Sequence, residues 1–472
     1  MASRNFFLSE LLIVRHERKF SLQALAPYCA WSPSFFYSSF FIGLGTLLYL
    51  PSIIETSIRQ SSILAKDSQL LEKWTNPEYM ISTNMWTFSV RNPDDVLNNS
   101  VPEVKMMGPY VFDQKMRRKV HSLENGTVKY ESYRSYYFNE ENSCVECFLH
   151  NRIWIPNLIF QKFVEAASKP TMRAATAALL VCAIPFVNFV CETVLNLPER
   201  IGLFYDKNDT TTGVFEIMDG SSDGGNSLGK IVSFNGEKQM PEHWWTTPQA
   251  TAIDDATDGT LFKPFINKSE NLTVFVPELC KSLTLVFQKD VDYAGIAAYR
   301  YVVTQDDFDF SLDRNKGYCH PSKKFMKSKM RARGEPPIIV SWPNFLFAPD
   351  FVRNSIKGIR DANQERDQIE LDLEPRLGAI LQARRRFQIN ISMWKGVNLT
   401  MPGLDLSNFR NSIVPVLQID EYSRIDAESL ELIKDKLINA ELAARVSCFG
   451  AMITSLLAVV VVAIYVVNRD AY

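Results

Sequence analysis

Two stretches of the 472-residue chain, one near each end, are uncharged and apolar enough to cross a bilayer. The first, Phe35 to Ile54, reads FFYSSFFIGLGTLLYLPSII, and the uncharged run around it begins at Phe20. About 20 helical residues cover the roughly 30 Å of a hydrocarbon core. The second lies between Arg445 and Arg469, 23 uncharged residues that include Leu456 to Val467. The first run sits too deep for a cleavable signal peptide and reads as a signal anchor, with Arg4, Arg15, Arg18 and Lys19 kept in the cytosol ahead of it. Two spans return the C-terminus to the cytosol, so everything between them faces the lumen or the exterior. A third run, Ala174 to Cys191, would invert this topology, but its 18 residues are at the lower limit for a span, and Pro185 and Asn188 lie within it. It reads as an apolar helical hairpin.

Between the spans the hydrophobic period changes. Ile58, Ile63, Leu64, Leu70, Leu71 and Trp74 recur at helical spacing up to a stop at Pro77. Strand patterns then dominate: KMRRKVHSL and VKYESYRSYYF flank Glu124-Asn125-Gly126-Thr127, a hairpin with an Asn-Gly turn. Phe160 to Val194 is Ala-rich and helical. Short strands return between Ile201 and Met240, with turns at 220–225 and 235–236. Further strands are predicted at Leu272–Val276, Leu283–Phe287, Ile296–Val303, Ile338–Ser341, Ala379–Met393 and Ile413–Ile419. A last amphipathic helix starts at an Asp426 cap, carries Leu430, Ile433, Leu437 and Leu442 along one side, and feeds the second span.

Composition narrows the class. With 46% hydrophobic and 22% charged residues the chain folds, and a net charge of -2 offers no general attraction to nucleic acid. A mean hydropathy of -0.09 excludes a polytopic transporter. Asn-x-Ser/Thr signals occur at Asn98, Asn125, Asn208, Asn267, Asn271, Asn390 and Asn398, all between the spans, which agrees with a lumenal or extracellular domain. Of eight cysteines, six lie in that domain. Fifteen pairings are open to them; local spacing favours Cys144 with Cys147, Cys182 with Cys191 and Cys280 with Cys319.

Several motifs touch on chemistry. Gly220-Ser221-Ser222-Asp223-Gly224 matches a nucleophile elbow in letters only, since no helix pattern follows. Gly224 to Lys230 nearly completes a phosphate loop, but Ile231 stands where a hydroxyl is needed. Cys144-Val145-Glu146-Cys147 has redox spacing outside a helix N-terminus and reads as a structural disulfide. The five histidines are scattered, and Asp254, Asp255 and Asp258 lack calcium-loop alternation. No catalytic, metal or cofactor site is predicted. Lys323, Lys324, Lys327, Lys329, Arg331 and Arg333 form a cationic run suited to anionic ligands or headgroups, or else a solvated loop. In Arg384-Arg385-Arg386, strand alternation sends the middle side chain to the opposite face.

Read in order, the segments resemble the class B scavenger receptor family, the group of fatty-acid translocase, the high-density-lipoprotein receptor and the lysosomal integral membrane protein. Trp74-Thr75-Asn76-Pro77, Phe88 to Asn92 and Gly108-Pro109-Tyr110-Val111-Phe112 follow that family's order. Gly202 to Asn208, Thr257 to Phe262, Gly295 to Tyr301, Leu371 to Gly378 and Arg386 to Asn390 continue it, so the likeness covers nearly the whole chain. It implies an α+β fold: a large lumenal antiparallel β-barrel-like domain with an apical helical bundle, anchored by two terminal transmembrane helices. The implied segments are a cytosolic tail 1–34, a span 35–54, a receptor domain 55–445 with its apical helices at about 155–198, a span 446–467 and a tail 468–472. It further implies an apolar tunnel that carries sterols or fatty acids toward the bilayer.

Two departures stand out. Val194 to Arg200 replaces an aromatic segment of the family, which shortens the apex, and a family cysteine expected near Ala332 is missing. The short C-terminal tail also lacks an acidic di-leucine signal. The resulting expectation is a two-pass receptor of the plasma membrane, with endosomal or lysosomal membranes also open. It would bind lipids, lipoproteins or other anionic ligands, and conduct lipid without catalysis. A protein ligand at the apical helices and homo-oligomerisation are left open. The rivals are a two-span ligand-gated channel subunit, argued against by a uniformly apolar Ala451 to Val467, and a membrane-anchored enzyme using Ser222.

Overall fold

The structure, a computed structural model, describes residues 33–158, 160, 161, 164, 202, 204–241, 245, 247–309, 311–318, 338–396 and 406–470. These fall into two compact units: Thr56–Lys434, and the terminal segments up to Glu55 and from Asp435 onward. In the terminal unit, α1 (Pro33–Ser61) and α4 (Ala440–Asp470) carry the two apolar runs, and both are long and apolar enough to cross a membrane. Phe41, Ile42, Leu48, Leu456 and Val461 are all more than half exposed. Helices that show large apolar side chains outward in this way are suited to lipid rather than water. Gly43 allows α1 to approach α4 closely: a Cβ there would lie 3.0 Å from Met452 Cγ.

The pattern expected to form one helix from Ile58 to Trp74 is broken in two. Helix α1 stops at Ser61, Asp67 takes a positive φ of 63°, and the Ser68 hydroxyl accepts the Leu71 N–H at 3.1 Å to cap α2 (Gln69–Thr75). Near the other end, Asp426 accepts the Ser429 N–H at 2.8 Å and caps α3 (Ala427–Ile433). One π-helical turn, Lys434–Asn439, then joins α3 to α4.

The larger unit is built on twelve strands: β1 (Met80–Val90), β2 (Val104–Glu124), β3 (Thr127–Phe138), β4 (Thr210–Met218), β5 (Ile231–Phe234), β6 (Leu272–Val276), β7 (Lys281–Tyr293), β8 (Ile296–Val303), β9 (Ile338–Ser341), β10 (Glu370–Glu374), β11 (Ala379–Met393) and β12 (Ser412–Arg424). They form one antiparallel sheet in the order β5-β4-β3-β2-β1-β12-β11-β10-β8-β7-β6, with β9 also paired to β11. The β2–β3 hairpin turns on Asn125 (φ 55°) and Gly126 (φ 79°), the left-handed pair that a two-residue turn requires. Strands β6, β8, β9 and β11 have the expected bounds, whereas β7 and β12 run longer and β1 and β10 were not legible as strands.

The barrel is not completed by strand pairing, because edge strands β5 and β6 do not pair with each other. A two-residue segment bonds to both edges instead. Ile231 N–H donates to the Ala256 carbonyl at 2.8 Å, while Thr257 donates to the Thr273 carbonyl at 2.9 Å and accepts from Phe275 N–H at 2.8 Å. Rings add to this contact: Phe275 of β6 lies 5.3 Å from Phe234 of β5 and 6.4 Å from Phe215 of β4, centroid to centroid. Of the apical region 155–198, only 155–158, 160, 161 and 164 are described; Ala174–Cys191 lies outside the described residues.

Phe275 is 1% exposed. Replacing it with Ala removes the ring that joins the two edges, and is expected to cost about 3–5 kcal/mol. Denaturant unfolding of the full chain measures this; a loss below about 1 kcal/mol would show that the edges are held by other means.

Candidate internal lipid site

Every strand except β5 contributes side chains to one cavity of about 270 Å³. That is close to the lower end of the roughly 300–1,000 Å³ typical of small-molecule sites. The period of two that governs a strand puts Ile81, Thr83 and Met85 of β1, and Leu283 and Leu285 of β7, on its wall. Phe215, Val274, Phe308, Trp342, Ile380 and Ile419 extend the apolar surface.

A band of charge crosses this wall. Arg134 of β3 pairs with Glu278 at 3.3 Å, and Arg385 of β11 pairs with Glu421 of β12 at 2.5 Å. Burial pushes the Glu421 carboxyl up, but Arg385 and Arg134 outweigh it and hold the group below its ordinary range. Burial likewise disfavours the Arg134 cation, and Glu278 and Glu421 overcome that and raise it. Arg386 reaches Glu370 at 3.7 Å and Asp420 at 3.5 Å, while Arg384 reaches Asp420 at 3.9 Å. The three consecutive arginines thus alternate as strand geometry demands, the middle one taking a different acid from its neighbours. Tyr130, fully buried, donates to Asp258, which also accepts from Thr260 at 2.8 Å. Burial first, and then Asp258, push the Tyr130 phenol far up.

A second buried polar cluster backs the same wall. Lys281 is 1% exposed; its ammonium donates to the Asp307 carbonyl and lies 5.0 Å and 4.4 Å from the ring centres of Phe308 and Tyr318. The Asp307 carboxylate accepts Thr284 N–H at 3.1 Å. Burial lowers Lys281 to about 8 and raises Asp307 to about 6.

Few of the site residues marked by pattern lie at the cavity. Cys144 and Cys147 are joined by a disulfide that closes a short loop after β3. The Cys280 carbonyl accepts Trp245 Nε1 at 2.8 Å, while Cys182, Cys191 and Cys319 lie outside the described residues. So do the cationic run Lys323 to Arg333 and Asn398. Asn98, Asn125, Asn208, Asn267 and Asn271 are exposed. Asn390, by contrast, is fully buried, and its Nδ2 donates to the Ile339 carbonyl and the Ser341 hydroxyl, both at 3.0 Å. Residues 221–229 form turns, not the helix of a nucleophile elbow. Asp258, which reads in sequence as an ordinary loop acid, is part of the cavity wall. The Thr257 to Phe262 segment that carries it was visible only as one of the family segments.

An antiparallel-sheet domain with an internal, mainly apolar cavity, flanked in sequence by two helices able to span a bilayer, defines a class of membrane-anchored binding proteins. The chain belongs to the CD36 family, whose family model matches residues 35–466. It is 29% identical to lysosome membrane protein 2 of Rattus norvegicus over 414 residues, 82% of this chain and 84% of that protein. It is 25% identical to sensory neuron membrane protein 1 of Plutella xylostella over 443 residues, 82% of this chain and 81% of the relative. Scavenger receptor class B member 1 of Rattus norvegicus is 24% identical over 426 residues, 84% of this chain and 81% of the relative. With its two terminal helices the chain is a two-pass membrane protein.

The Lys281–Asp307 cluster makes stability depend on pH in two windows. Folded Asp307 holds its proton to about pH 6 instead of 3.8, so its increment of stability is full below pH 3.8 and lost as pH rises through about 6. Folded Lys281 releases its proton near 8 instead of 10.5, so its increment is full above pH 10.5 and lost as pH falls through about 8. Melting curves of the full chain from pH 4 to 7 should therefore show wild type losing stability relative to Asp307→Asn as pH rises. Parallel profiles would contradict this assignment.

Proposed function

We propose that the chain is a class B scavenger-type receptor. Its large domain faces the lumen or the exterior, binds lipids, lipoproteins or other anionic ligands, and conducts lipid through the internal cavity toward the membrane. The observation that carries this reading is the cavity itself, lined mainly by apolar side chains from nearly every strand. An apolar lumen spares a lipid its hydration cost, about 0.8 kcal/mol per CH₂. The sheet is taken to close as a barrel around the cavity. The double bonding of segment 256–257 and the Phe234–Phe275 contact support that closure. The names of the relatives, a scavenger receptor and a lysosome membrane protein, favour a receptor at the cell surface or in endosomal and lysosomal membranes. Binding and transfer require no bond to be made or broken, and no catalytic role is assigned.

The segments follow the same reading: residues 1–34 and 468–472 in the cytosol, spans at 35–54 and 446–467, and 55–445 outside. Large apolar side chains such as Leu456, Leu457, Val460, Val461 and Ile464 are exposed on α4. That favours a lipid-facing anchor over a pore-lining helix. The cationic run Lys323 to Arg333 is retained as a candidate contact for anionic ligands, and the pairs Cys182–Cys191 and Cys280–Cys319 as candidate disulfides. Apical protein binding and homo-oligomerisation stay with this proposal as features to be tested.

Two measurements test it. Full-length protein labelled with a photo-crosslinkable sterol or fatty acid should give saturable crosslinks on cavity-wall peptides, such as those of β1, β7 and β11; surface labelling only, or none, would reject the conduit. Glycopeptide mapping should find glycans at Asn98, Asn125, Asn208, Asn267 and Asn271 and none at Asn390. An unmodified set would place the domain in the cytosol and reject the topology.

A further inference from the structure

A second cavity, about 180 Å³ in volume, shares no lining residue with the first. Its wall draws on the core cluster around the C-terminal end of β1: Val90, Val96, Met393, Leu406 and Phe409 line it, and all five are buried. Two segments carry the wall to the surface. Leu97 ends the short helix Pro93–Leu97 and is 39% exposed, while Trp154 and Ile155 are 71% and 47% exposed. Backbone bonds tie Trp154 to β1: its N–H donates to the Ser89 hydroxyl at 3.0 Å, and its carbonyl accepts the Val90 N–H at 2.8 Å. The large exposed indole at the edge of this cavity is therefore carried by the end of a strand.

The chemistry of the wall is one-sided. No lining residue is charged, and its two polar side chains are in use: Asn157 Oδ1 accepts Phe160 N–H, and Gln161 Oε1 accepts Trp394 N–H, each at 2.9 Å. Among the described residues, none on this wall has a buried polar side-chain atom without a partner. Such a wall offers no side-chain partner to offset the dehydration of a charge. It rewards apolar surface brought out of water. The volume limits the guest as well, since an apolar cavity of about 150 Å³ holds one benzene-sized molecule. We propose that this second cavity binds a compact, uncharged apolar molecule, about one six-membered ring in size, and that Trp154 packs against the guest where the cavity meets the surface. The site is separate from the lipid cavity and does not rest on the reading of that cavity.

The test uses full-length protein and a photoreactive hydrocarbon of that size, a phenyl diazirine, with the labelled peptide mapped by mass spectrometry. Labelling of residues 154–161 should saturate near neutral pH. Toluene should compete, and benzoate, its charged near-isostere, should compete at least about tenfold more weakly. Oleate, which addresses the larger cavity, should leave this label in place. Val96→Phe adds a ring inside the cavity and should abolish the labelling with a melting temperature equal to wild type or higher. Trp154→Ala, at an exposed position that the fold tolerates, should weaken the probe about fivefold and decides the matter if Val96→Phe does not fold. The site is refuted if labelling does not saturate, if toluene and benzoate suppress it alike, if oleate displaces it, or if it persists unchanged in folded Val96→Phe or in Trp154→Ala. None of these results touches the lipid conduit, whose crosslinks fall on other peptides.

Discussion

The fate of two sheet edges governs the rest of this molecule. Eleven strands in unbroken antiparallel succession leave β5 and β6 with one row each of unpaired backbone groups, and exposed rows of that kind recruit other chains. Here the rows are partly met by a single short segment. Ala256 serves β5, and Thr257 bonds twice to β6. Gly259, just beyond, takes a positive φ of 77° and sits so close to Val274 that a Cβ would be 2.8 Å from Cγ1. The chain can thus turn away from β6 at once only with glycine there. Phe215, Phe234 and Phe275 fill the space inside that contact. Beside that contact lies the cavity, which side chains from every strand but β5 line.

That space explains the uncommon distribution of charge. Sheet interiors normally alternate apolar positions inward and polar positions outward. In β11 neither face is free: Arg385 and Phe387 line the cavity, while Gln388 and Asn390 on the other side are fully buried. Each buried amide is accounted for, Gln388 accepting Asn344 N–H at 2.9 Å and Asn390 donating to the Ile339 carbonyl. The buried acids are also met. Asp372 is held by Arg300 at 2.7 Å and Glu374 by Arg376 at 3.0 Å. Ion pairs this deep add little net stability, because desolvation offsets their attraction, but removing one partner strands the other. Their effect is to fix which strands lie side by side and to neutralise the cavity wall wherever both signs are present.

These same features decided what could be read in advance. The apolar spans, the Asn-Gly hairpin and four strands were legible because each depends on local pattern: an uncharged run, a left-handed turn pair, a period of two. Strand β10 was not, since Glu-Leu-Asp-Leu-Glu reads as a half-exposed strand at best, whereas all five residues are buried, Glu370 and Asp372 against an arginine far away in sequence, Arg300. The helix read from Ile58 to Trp74 kept its apolar spacing through a break, because Ser68 caps a new helix without disturbing that spacing. The cavity was illegible for a more general reason. A residue facing a cavity and one facing a packed core obey the same alternation, so only the arrangement of strands separates them. Asn390 shows the converse: a glycosylation signal is a local pattern, whereas the burial of its asparagine is set by the fold.

For the lipid-conduit reading, the consequence lies in how selectivity and passage divide between different groups. An apolar wall favours every long-chain lipid in proportion to the surface it shelters, so it confers affinity but little discrimination. Ion pairs that already satisfy each other do not choose between an acid, an alcohol and an ester. Discrimination therefore has to come from a polar group whose partner the protein leaves for the ligand to supply. Affinity spread along the wall is what a carrier needs if it is to bind lipid firmly enough to capture it and loosely enough to release it.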